Sequence, residues 1–450
     1  MIVLSASTGS SFYSEKTDYD GIVCSCLASV DTCIDELRFV TDFCYHRAWT
    51  QAVRISDNFG NASAYPRWSE YDAPSPGVIV NVVTEQDVAV TTQYCLRESI
   101  PFLAQNGAHG WASTFNLTQD GILINLHGLN SVTFNDNKIQ VTIGGGALIS
   151  DVITAASANG ALGAILGGSY GNLMGLYGFG VDNVDDDSDL FWAFRGAGAN
   201  FGIVTSATMK SYPVAPSGQL AWYGELIYTA DKVEAVVQAI DRLTLTPNMN
   251  IFLYFLTSGA PDYTPLFVIT PFYYGTEADG REAFASILQL GPSNDTTSEG
   301  NYTNWNDGAA GFCTKGGYKP AYTVGLTRMV ASAWKDVWDE YVTWVSQNGT
   351  GDSIVLMEAY SLFTARSVAA NSSSYPWRDV VNFNAVPIPW YYEESLQSAA
   401  LAWGEKYINF AHGDESLPII YGDSHDRLRR IKAEADPANV FDQYFDIGGD

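Results

Sequence analysis

Two glycine-rich segments are the part of the sequence best suited to chemistry. In the turn 105–110, Gln-Asn-Gly-Ala-His-Gly, an imidazole stands among residues with little side chain. The second segment, Gly167 to Gly202, contains nine glycines. A backbone without side chains can approach a phosphate closely and direct its N–H groups at it. This density favours a phosphate-bearing ligand, although the spacing does not fit the G-x-G-x-x-G of a dinucleotide-binding βαβ unit.

Residues 189–205 carry the most specific pattern in the chain. They read DLFWAFRGAGANFGIVT, which closely resembles the signature of berberine-bridge-type FAD-linked oxidases in the vanillyl-alcohol-oxidase superfamily. Three further stretches are similar to that family, namely the turn 107–110, the run 166–183 and the C-terminal stretch 421–441. The resemblance implies FAD as the cofactor and a PCMH-type FAD-binding domain.

The resemblance also implies roles for matched positions. His109 would carry the flavin covalently through its 8α-methyl carbon, and this bond would raise the flavin's reduction potential. The alternative is an ordinary histidine in a turn. The other implied cofactor-binding residues are Asn106, Gly107, Ala108, Gly110, Gly167, Gly168, Gly171, Asp182, Asn183, Gly198, Asn200, Gly202, Ile203, Val204 and Asn409.

The base that deprotonates the substrate is not where the family pattern would place it. Family members often carry Tyr-x-Asn-Tyr near the C-terminus, with the second tyrosine as the base. This chain has Tyr407-Ile408-Asn409-Phe410 instead, and phenylalanine cannot accept a proton. The remaining catalytic candidates are Tyr391, Tyr392 and Tyr407, and for each of them the alternative is a place in an aromatic core.

Two segments expected from the family are missing. A loop with a cysteine that forms a second flavin bond would stand between Ala161 and Leu162, and a segment the size of a β-hairpin between Val184 and Asp185. Cys95 is a poor substitute for that cysteine, because it lies on a predicted helix that packs against a sheet. We therefore expect a single covalent bond, at His109.

The elements around these motifs predict an α+β fold. In the first part of the chain we predict strands at 78–83, 101–104, 121–126, 139–143 and 203–209 and helices at 85–99 and 148–158. In the second part we predict helical faces at 233–243 and 334–345, strands at 251–255 and 266–272, and a last helix at 426–435.

This pattern predicts a two-part PCMH-type FAD-binding domain with an inserted substrate domain. A Cys-bearing lead-in would occupy residues 1–60, and the FAD-binding domain residues 61–213. The substrate-binding domain, an antiparallel sheet covered by helices, would occupy residues 214–395. The C-terminal segment 396–450 would return to the FAD-binding domain.

Composition limits the possible partners. A net charge of −27 would repel nucleic acid and anionic membranes, and no apolar run reaches the length of a transmembrane helix. Four clustered cysteines (Cys24, Cys26, Cys33 and Cys44) predict one or two disulfides, and six Asn-x-Ser/Thr triplets favour a secreted glycoprotein. The triplets begin at Asn61, Asn116, Asn294, Asn301, Asn348 and Asn371. The opening residues 1–6 lack a basic region, so no signal peptide is evident.

These observations predict a monomeric oxidase without a metal site. It would transfer hydride from an alcohol, a sugar or a small natural product to FAD, and O2 would be reduced to H2O2. Two alternatives stay open: a flavin-free binding protein with the same fold, and a flavin dehydrogenase that uses another electron acceptor.

Overall fold

The structure is a computed structural model that describes residues 3–4, 54–56, 66–162, 188–215, 218–405, 415–442 and 444–449. The clustered cysteines and the predicted site residues Gly167, Gly168, Gly171, Asp182, Asn183, Tyr407 and Asn409 lie outside these ranges. Within them, helices and sheets alternate, which confirms the α+β class. None of the described helices has both the length and the apolarity needed to cross a bilayer.

The described strands, numbered in chain order, are β1 (Val3–Leu4), β2 (Arg54–Ser56), β3 (Val78–Asn81), β4 (Phe102–Gln105), β5 (Ile122–Asn125), β6 (Val132–Phe134), β7 (Gln140–Gly144), β8 (Ala161–Leu162), β9 (Ile203–Val204), β10 (Ser206–Lys210), β11 (Tyr212–Pro213), β12 (Leu220–Tyr223), β13 (Leu226–Tyr228), β14 (Met249–Thr257), β15 (Pro265–Tyr273), β16 (Asn294–Asp295), β17 (Ser298–Asn301), β18 (Val324–Leu326), β19 (Ile354–Tyr360) and β20 (Phe383–Ile388). The described α-helices are α1 (Glu85–Glu98), α2 (Ile149–Ala158), α3 (Ser188–Phe194), α4 (Val233–Arg242), α5 (Glu277–Ala283), α6 (Ala285–Leu288), α7 (Ala331–Val345), α8 (Phe363–Ser367), α9 (Gln397–Glu405), α10 (Leu417–Tyr421) and α11 (His425–Ala435).

A four-stranded sheet carries the His109 turn. Its order is β2-β3-β5-β4, and the last three strands run parallel. Helix α1 connects β3 to β4 and begins at a capping box, in which Thr84 and Asp87 satisfy each other's backbone N–H groups. The predicted strand–helix–strand unit is confirmed. The turn after β4 lies at the carboxyl edge of the parallel strands, where ligands of such sheets bind.

A second, antiparallel sheet of order β10-β7-β6 lies beside it. The single strand predicted at 203–209 is divided at Thr205, because β9 pairs with β1 while β10 pairs with β7. The carbonyl of Thr205 instead accepts the N–H of Gly145 at 2.7 Å. A Cβ at Gly145 would lie 2.2 Å from the carbonyl oxygen of Val204, so this junction requires glycine.

A third sheet lies in the part of the chain that is predicted to bind substrate, and we call this part the substrate side after that prediction. The sheet has nine strands in the described residues, and its pairs are antiparallel. Side chains alternate between its two faces. One face packs under α4 and α7 around Leu253, Phe255 and Met357. The opposite face, which we call the open face, contributes Tyr254, Val386 and other residues to a core shared with Trp68 of the first part of the chain. The open face is therefore turned toward the parts that carry the His109 turn.

The C-terminal segment packs against the signature. Leu428 and Ile431 of α11 share a core with Leu190 and Trp192 of α3. The ammonium of Lys432 donates to the carbonyl of Asn200 at 2.7 Å. The end of the chain and residues 189–205 thus form one packed unit, although 220 and more residues separate them in sequence.

Candidate cofactor and active site

The turn after β4 has a backbone shape that exposes its imidazole. Ala108 adopts a positive φ of 58°, and its carbonyl accepts the backbone N–H of Trp68 at 2.8 Å. The side-chain amide of Asn106 donates to the carbonyl of Ala147 at 3.0 Å, which ties the turn to the second sheet. His109 is left partly accessible at the tip of the turn.

His109 is held between aromatic rings and kept neutral. Its ring stacks on Trp68, with centroids 4.7 Å apart and planes at 16°, and meets Trp111 edge-on at 6.1 Å. Burial, with a smaller contribution from the nearby charges of Lys319 and Lys315, lowers the pKa of His109 to about 4. At neutral pH the imidazole therefore keeps a free nitrogen lone pair, which a nucleophile needs.

Cations surround this turn although the whole chain is strongly acidic. Arg67 donates to the side-chain carbonyl of Gln105 at 2.7 Å and to the backbone carbonyl of Gly110 at 2.9 Å. Burial lowers the pKa of Arg67 to about 10, which still leaves it charged at neutral pH. Burial also lowers the pKa of Lys315, and the charge of Arg67 adds to that effect. Such a cluster suits an anionic ligand, such as the pyrophosphate of a nucleotide.

A cleft of about 300 Å³ opens at the carboxyl ends of β3 and β5. Residues 128–131, Glu85, Thr205 and Ser206 line it. The carboxylate of Glu85 accepts hydrogen bonds from the hydroxyls of Thr205 and Ser206, each at 3.2 Å. Strand β9 contains two of the predicted neighbours of the cofactor, Ile203 and Val204. Ile203 is buried in the core of the parallel sheet. The other, Val204, lies beside Gly145, and the residues after it reach the cleft.

Other residues of the signature serve packing. The position a side chain would take at Gly198, where φ is 63°, is filled by the ring of Tyr444, 2.4 Å away. Asn200 is fully buried, and its amide donates to the carbonyl of Ala197 at 2.8 Å and to the hydroxyl of Tyr421 at 3.1 Å. Its side-chain oxygen accepts the N–H of Ile447 at 3.4 Å. Both residues thus have a structural role in the packing of the signature, and the cofactor-binding role that the resemblance implies for Gly198 and Asn200 stays a prediction.

The two described tyrosine candidates for the base do not meet the requirements of one. Tyr391 is fully buried, stacks on Tyr318 with centroids 5.3 Å apart, and belongs to the core beneath α7. Burial raises the pKa of Tyr391 above the ordinary tyrosine value. Tyr392 is 54% exposed and lines a surface groove of about 690 Å³ with Tyr263 and Asp352. Neither side chain is part of the open face.

The open face carries a carboxylate that the sequence analysis missed. Glu358 of β19 is the only charged residue in β14, β15, β19 and β20, and its position in the alternation puts it on the same face as Tyr254 and Val386. Tyr360 donates to it at 3.2 Å and Asn384 at 3.3 Å. Burial raises the pKa of Glu358, and these hydrogen bonds offset only part of the effect. A lone acid in the apolar strand Ile354–Tyr360 is the signal that would have identified it.

The open face and the His109 turn meet through a chain of aromatic contacts. Tyr254 stacks on Phe312 with centroids 5.2 Å apart. The carbonyl of Phe312 accepts the indole N–H of Trp68 at 2.6 Å, and Trp68 stacks on His109. The residues present therefore fit a flavin nucleotide, because these contacts connect a nucleophilic imidazole and its flanking cations to an aromatic sheet face that carries one desolvated acid.

Comparisons with known proteins identify two regions of the chain. A family model described as an FAD binding domain matches residues 76–186, and one described as berberine and berberine like matches residues 406–444. The FAD-linked oxidoreductase OXR1 of Pyricularia oryzae is 29% identical over 431 residues, which cover 83% of this chain and 84% of the relative.

Two solved structures share the fold. A variant of berberine bridge enzyme described as a reticuline dehydrogenase has a TM-score of 0.72 at 13% identity, over 88% of this chain and 96% of that chain. The xylooligosaccharide oxidase from Myceliophthora thermophila has a TM-score of 0.70 at 14% identity, with the same shares of 88% and 96%. The chain is an FAD-linked oxidoreductase with FAD as its cofactor, and it carries an FAD-binding domain and a berberine-like region.

Proposed function

We propose that this enzyme is an oxidase whose FAD is bonded covalently to His109. The observation that carries the proposal is the setting of this imidazole, which is neutral, fixed on Trp68 and partly accessible. FAD would supply a hydride acceptor when bound. The imidazole of His109 would hold it through the 8α-methyl carbon: one C–H and one N–H bond would be replaced by a C–N bond, with two protons released and two electrons passed on to O2.

We propose Glu358 as the group that accepts the substrate's proton. Its carboxylate lies among apolar residues and is partly accessible from the open face. Because the pKa of Glu358 is raised, its carboxylate is a stronger base than that of an ordinary glutamate. The carboxylate is ionised at any pH above this raised pKa. Asn384 and Tyr360 hold the two carboxylate oxygens, so one orientation of the acid is fixed.

The open face favours a small apolar natural product over a sugar. Beside Glu358 it presents Phe252, Tyr254, Leu356 and Val386, and few polar groups that could bind several hydroxyls. An alcohol or phenol attached to a flat apolar skeleton would bury that skeleton on these rings and direct its hydroxyl to the carboxylate. The substrate is in this proposal a small molecule with one reactive hydroxyl.

Acid precipitation tests the covalent bond. The unmutated protein should carry its yellow flavin absorbance into the denatured pellet, and His109→Ala should leave it in the supernatant. Flavin that washes off the unmutated protein would exclude the bond, and a colourless protein would favour the flavin-free alternative. Two assays with an apolar alcohol separate the oxidase from a dehydrogenase: peroxide release in air, and reduction of a dye acceptor under argon. An oxidase releases peroxide in air, whereas a dehydrogenase reduces only the dye.

We also propose that the protein is exported and glycosylated. Five of the six sequon asparagines lie in described residues, at 116, 294, 301, 348 and 371, and all five are exposed. Exposure at every described sequon supports the modification, because a glycan must project into solvent. The acidic balance and the clustered cysteines of the lead-in point to the same compartment.

A further inference from the structure

Lys319 is a fully buried lysine at the contact between the two halves of the site. It belongs to the segment before β18, on the substrate side. Its ammonium donates to the carbonyl of Trp68, and to those of Thr314 and Gly316 at 2.7 Å each. An ammonium has three donors and no acceptor, so these three carbonyls satisfy it completely.

Two indoles enclose the same ammonium. The nitrogen lies 3.9 Å from the ring centroid of Trp390 and 4.9 Å from that of Trp68. Burial lowers the pKa of Lys319 to about 7, whereas the carbonyls and the two ring faces favour its charged form. The cation is thus shared between the substrate side, through Trp390, and the cofactor side, through Trp68.

Trp68 transmits this contact to the attachment histidine. Its ring stacks on His109, and its backbone N–H is bonded to Ala108 of the turn. The neighbouring Ser69 accepts the backbone N–H of Lys319 at 3.0 Å and donates to its carbonyl at 3.0 Å. Segment 66–70, on which the imidazole rests, is therefore fastened from the substrate side.

We infer that Lys319 is a positioning residue for flavin attachment: by fixing Trp68 it holds the imidazole of His109 in the orientation that bond formation needs. The inference rests on the proposed covalent bond at His109. Because Lys319 reaches Trp68 only when the substrate side is docked, attachment follows docking, and a chain without its substrate domain in place binds FAD reversibly.

The charge of Lys319 adds a second effect. Together with Lys315 it disfavours a proton on His109, and Arg67 places a further cation at the turn. The groups that act on Lys319 itself are Glu70, Asp352 and the thiol of Cys313. Removal of the ammonium should therefore make the imidazole easier to protonate, so that attachment fails at a higher pH.

The test uses the full chain with Lys319→Met, which keeps an unbranched side chain and removes the charge. FAD is added, total binding is measured by gel filtration, and the covalent fraction is followed over time by acid precipitation between pH 5 and 8. We expect reversible FAD binding to persist while covalent attachment slows by about tenfold or more. The acid limb of the attachment rate should move to higher pH. Lys335→Met, at an exposed lysine paired with Asp339, is the control and should attach FAD at the unmutated rate.

Attachment by Lys319→Met at the unmutated rate, with an unchanged acid limb, would overturn the inference. If Lys319→Met shows no cooperative melting transition, the pair Trp390→Phe and Trp390→Leu decides. The phenyl ring keeps a face for the cation, so Trp390→Phe should attach FAD faster than Trp390→Leu, and equal rates would count against the inference. An unmutated protein that never forms acid-stable flavin would instead refute the proposed function.

Discussion

At the residue scale, the site depends on two titratable groups that border the same aromatic cluster. His109 is kept neutral because burial and neighbouring cations lower its pKa, and Glu358 becomes more basic because burial raises its pKa. In the proposed mechanism the first shift provides a nucleophilic nitrogen, and the second provides a proton acceptor. Neither group needs a metal ion or a second acid to perform its role.

Replacing Glu358 with glutamine removes the proposed base while retaining size and hydrogen bonding. We expect kcat/KM to fall by about 100-fold or more, with the flavin still bound. A base acts only when deprotonated, so the activity of the unmutated enzyme should decline as the pH falls through the raised pKa of Glu358. The decline should occur at a pH above the pKa of an ordinary glutamate, and it should be absent in Glu358→Gln. Glu394→Gln, at an exposed glutamate of the same domain, should leave the profile unchanged.

Tyr391 offers the opposite test. Its buried hydroxyl has no hydrogen-bond partner among the described residues, so Tyr391→Phe removes an unsatisfied polar atom. We expect the free energy of unfolding to stay the same or rise by about 1 kcal/mol, and kcat to be unchanged. A large loss of turnover in this variant, at normal stability, would return Tyr391 to the list of bases.

At the scale of elements, a buried ion pair at the end of α11 holds Lys432, whose ammonium also donates to the carbonyl of Asn200 in the signature. Lys432 donates to Asp436 at 2.7 Å, and their side chains are only 1% and 5% exposed. Burial alone would raise the pKa of Asp436, but bonds from Lys432, Val440 and Phe441 outweigh it and leave the pKa lowered. The pair thus stabilises the fold at neutral pH, and this contribution disappears in acid as the carboxylate is protonated.

Lys432→Met leaves that carboxylate buried without its cation. We expect the free energy of unfolding in urea to fall by about 3 kcal/mol at pH 7. The difference from the unmutated protein should shrink below the usual aspartate pKa of 3.8, since protonation then removes the charge in both. Lys335→Met breaks an exposed pair and should cost less than about 1 kcal/mol. If both variants lose the same free energy of unfolding, burial of the Lys432–Asp436 pair adds nothing to its contribution to stability.

The elements were predictable where the sequence carries a local period. The unit β3–α1–β4, the faces of α4 and α7, and strands β14 and β15 follow from spacing alone. Long-range contacts were not predictable. Asn200 was assigned to the cofactor because its motif resembles a binding signature, whereas its partners Tyr421 and Ile447 lie far along the chain. Lys319 and Glu358 gain their properties from burial between distant segments, which no local pattern reveals.

At the scale of the whole molecule, the substrate side completes a site that the cofactor side begins. Trp68 and His109 come from the first part of the chain, while Lys319, Trp390 and Glu358 come from the second. The chain as a whole has a net charge of −27, whereas Arg67 and Lys315 place positive charge at the His109 turn. This contrast would steer the anionic end of FAD to one place on an otherwise repulsive surface.

Export is tested on the intact protein. Expressed through the secretory route of a eukaryotic host, the chain should lose apparent mass on endoglycosidase treatment, because its described sequons are exposed. Substituting glutamine for Asn348 alone should remove one glycan's mass and leave folding intact. If endoglycosidase treatment leaves the apparent mass unchanged and every cysteine titrates as a free thiol, the protein is not exported.

The number of flavin bonds follows from the fold and from the missing loop. Strand β8, Ala161–Leu162, pairs directly with β11, where the family's cysteine loop would stand. Cys95 is fully buried in the core of the parallel sheet, and burial raises its pKa to about 12, so its thiol is unreactive at neutral pH. With Cys95 excluded, we expect one covalent bond, at His109.

Mapping of the flavin-bearing peptides tests the central claim most directly. The unmutated protein is denatured, digested and separated, and every peptide with flavin absorbance is sequenced by mass spectrometry. We predict a single flavin peptide that spans residues 105–110, with the added mass on His109 and no cysteine adduct. Flavin on any other residue, a second flavin-bearing cysteine peptide, or free FAD as the only flavin recovered would contradict it.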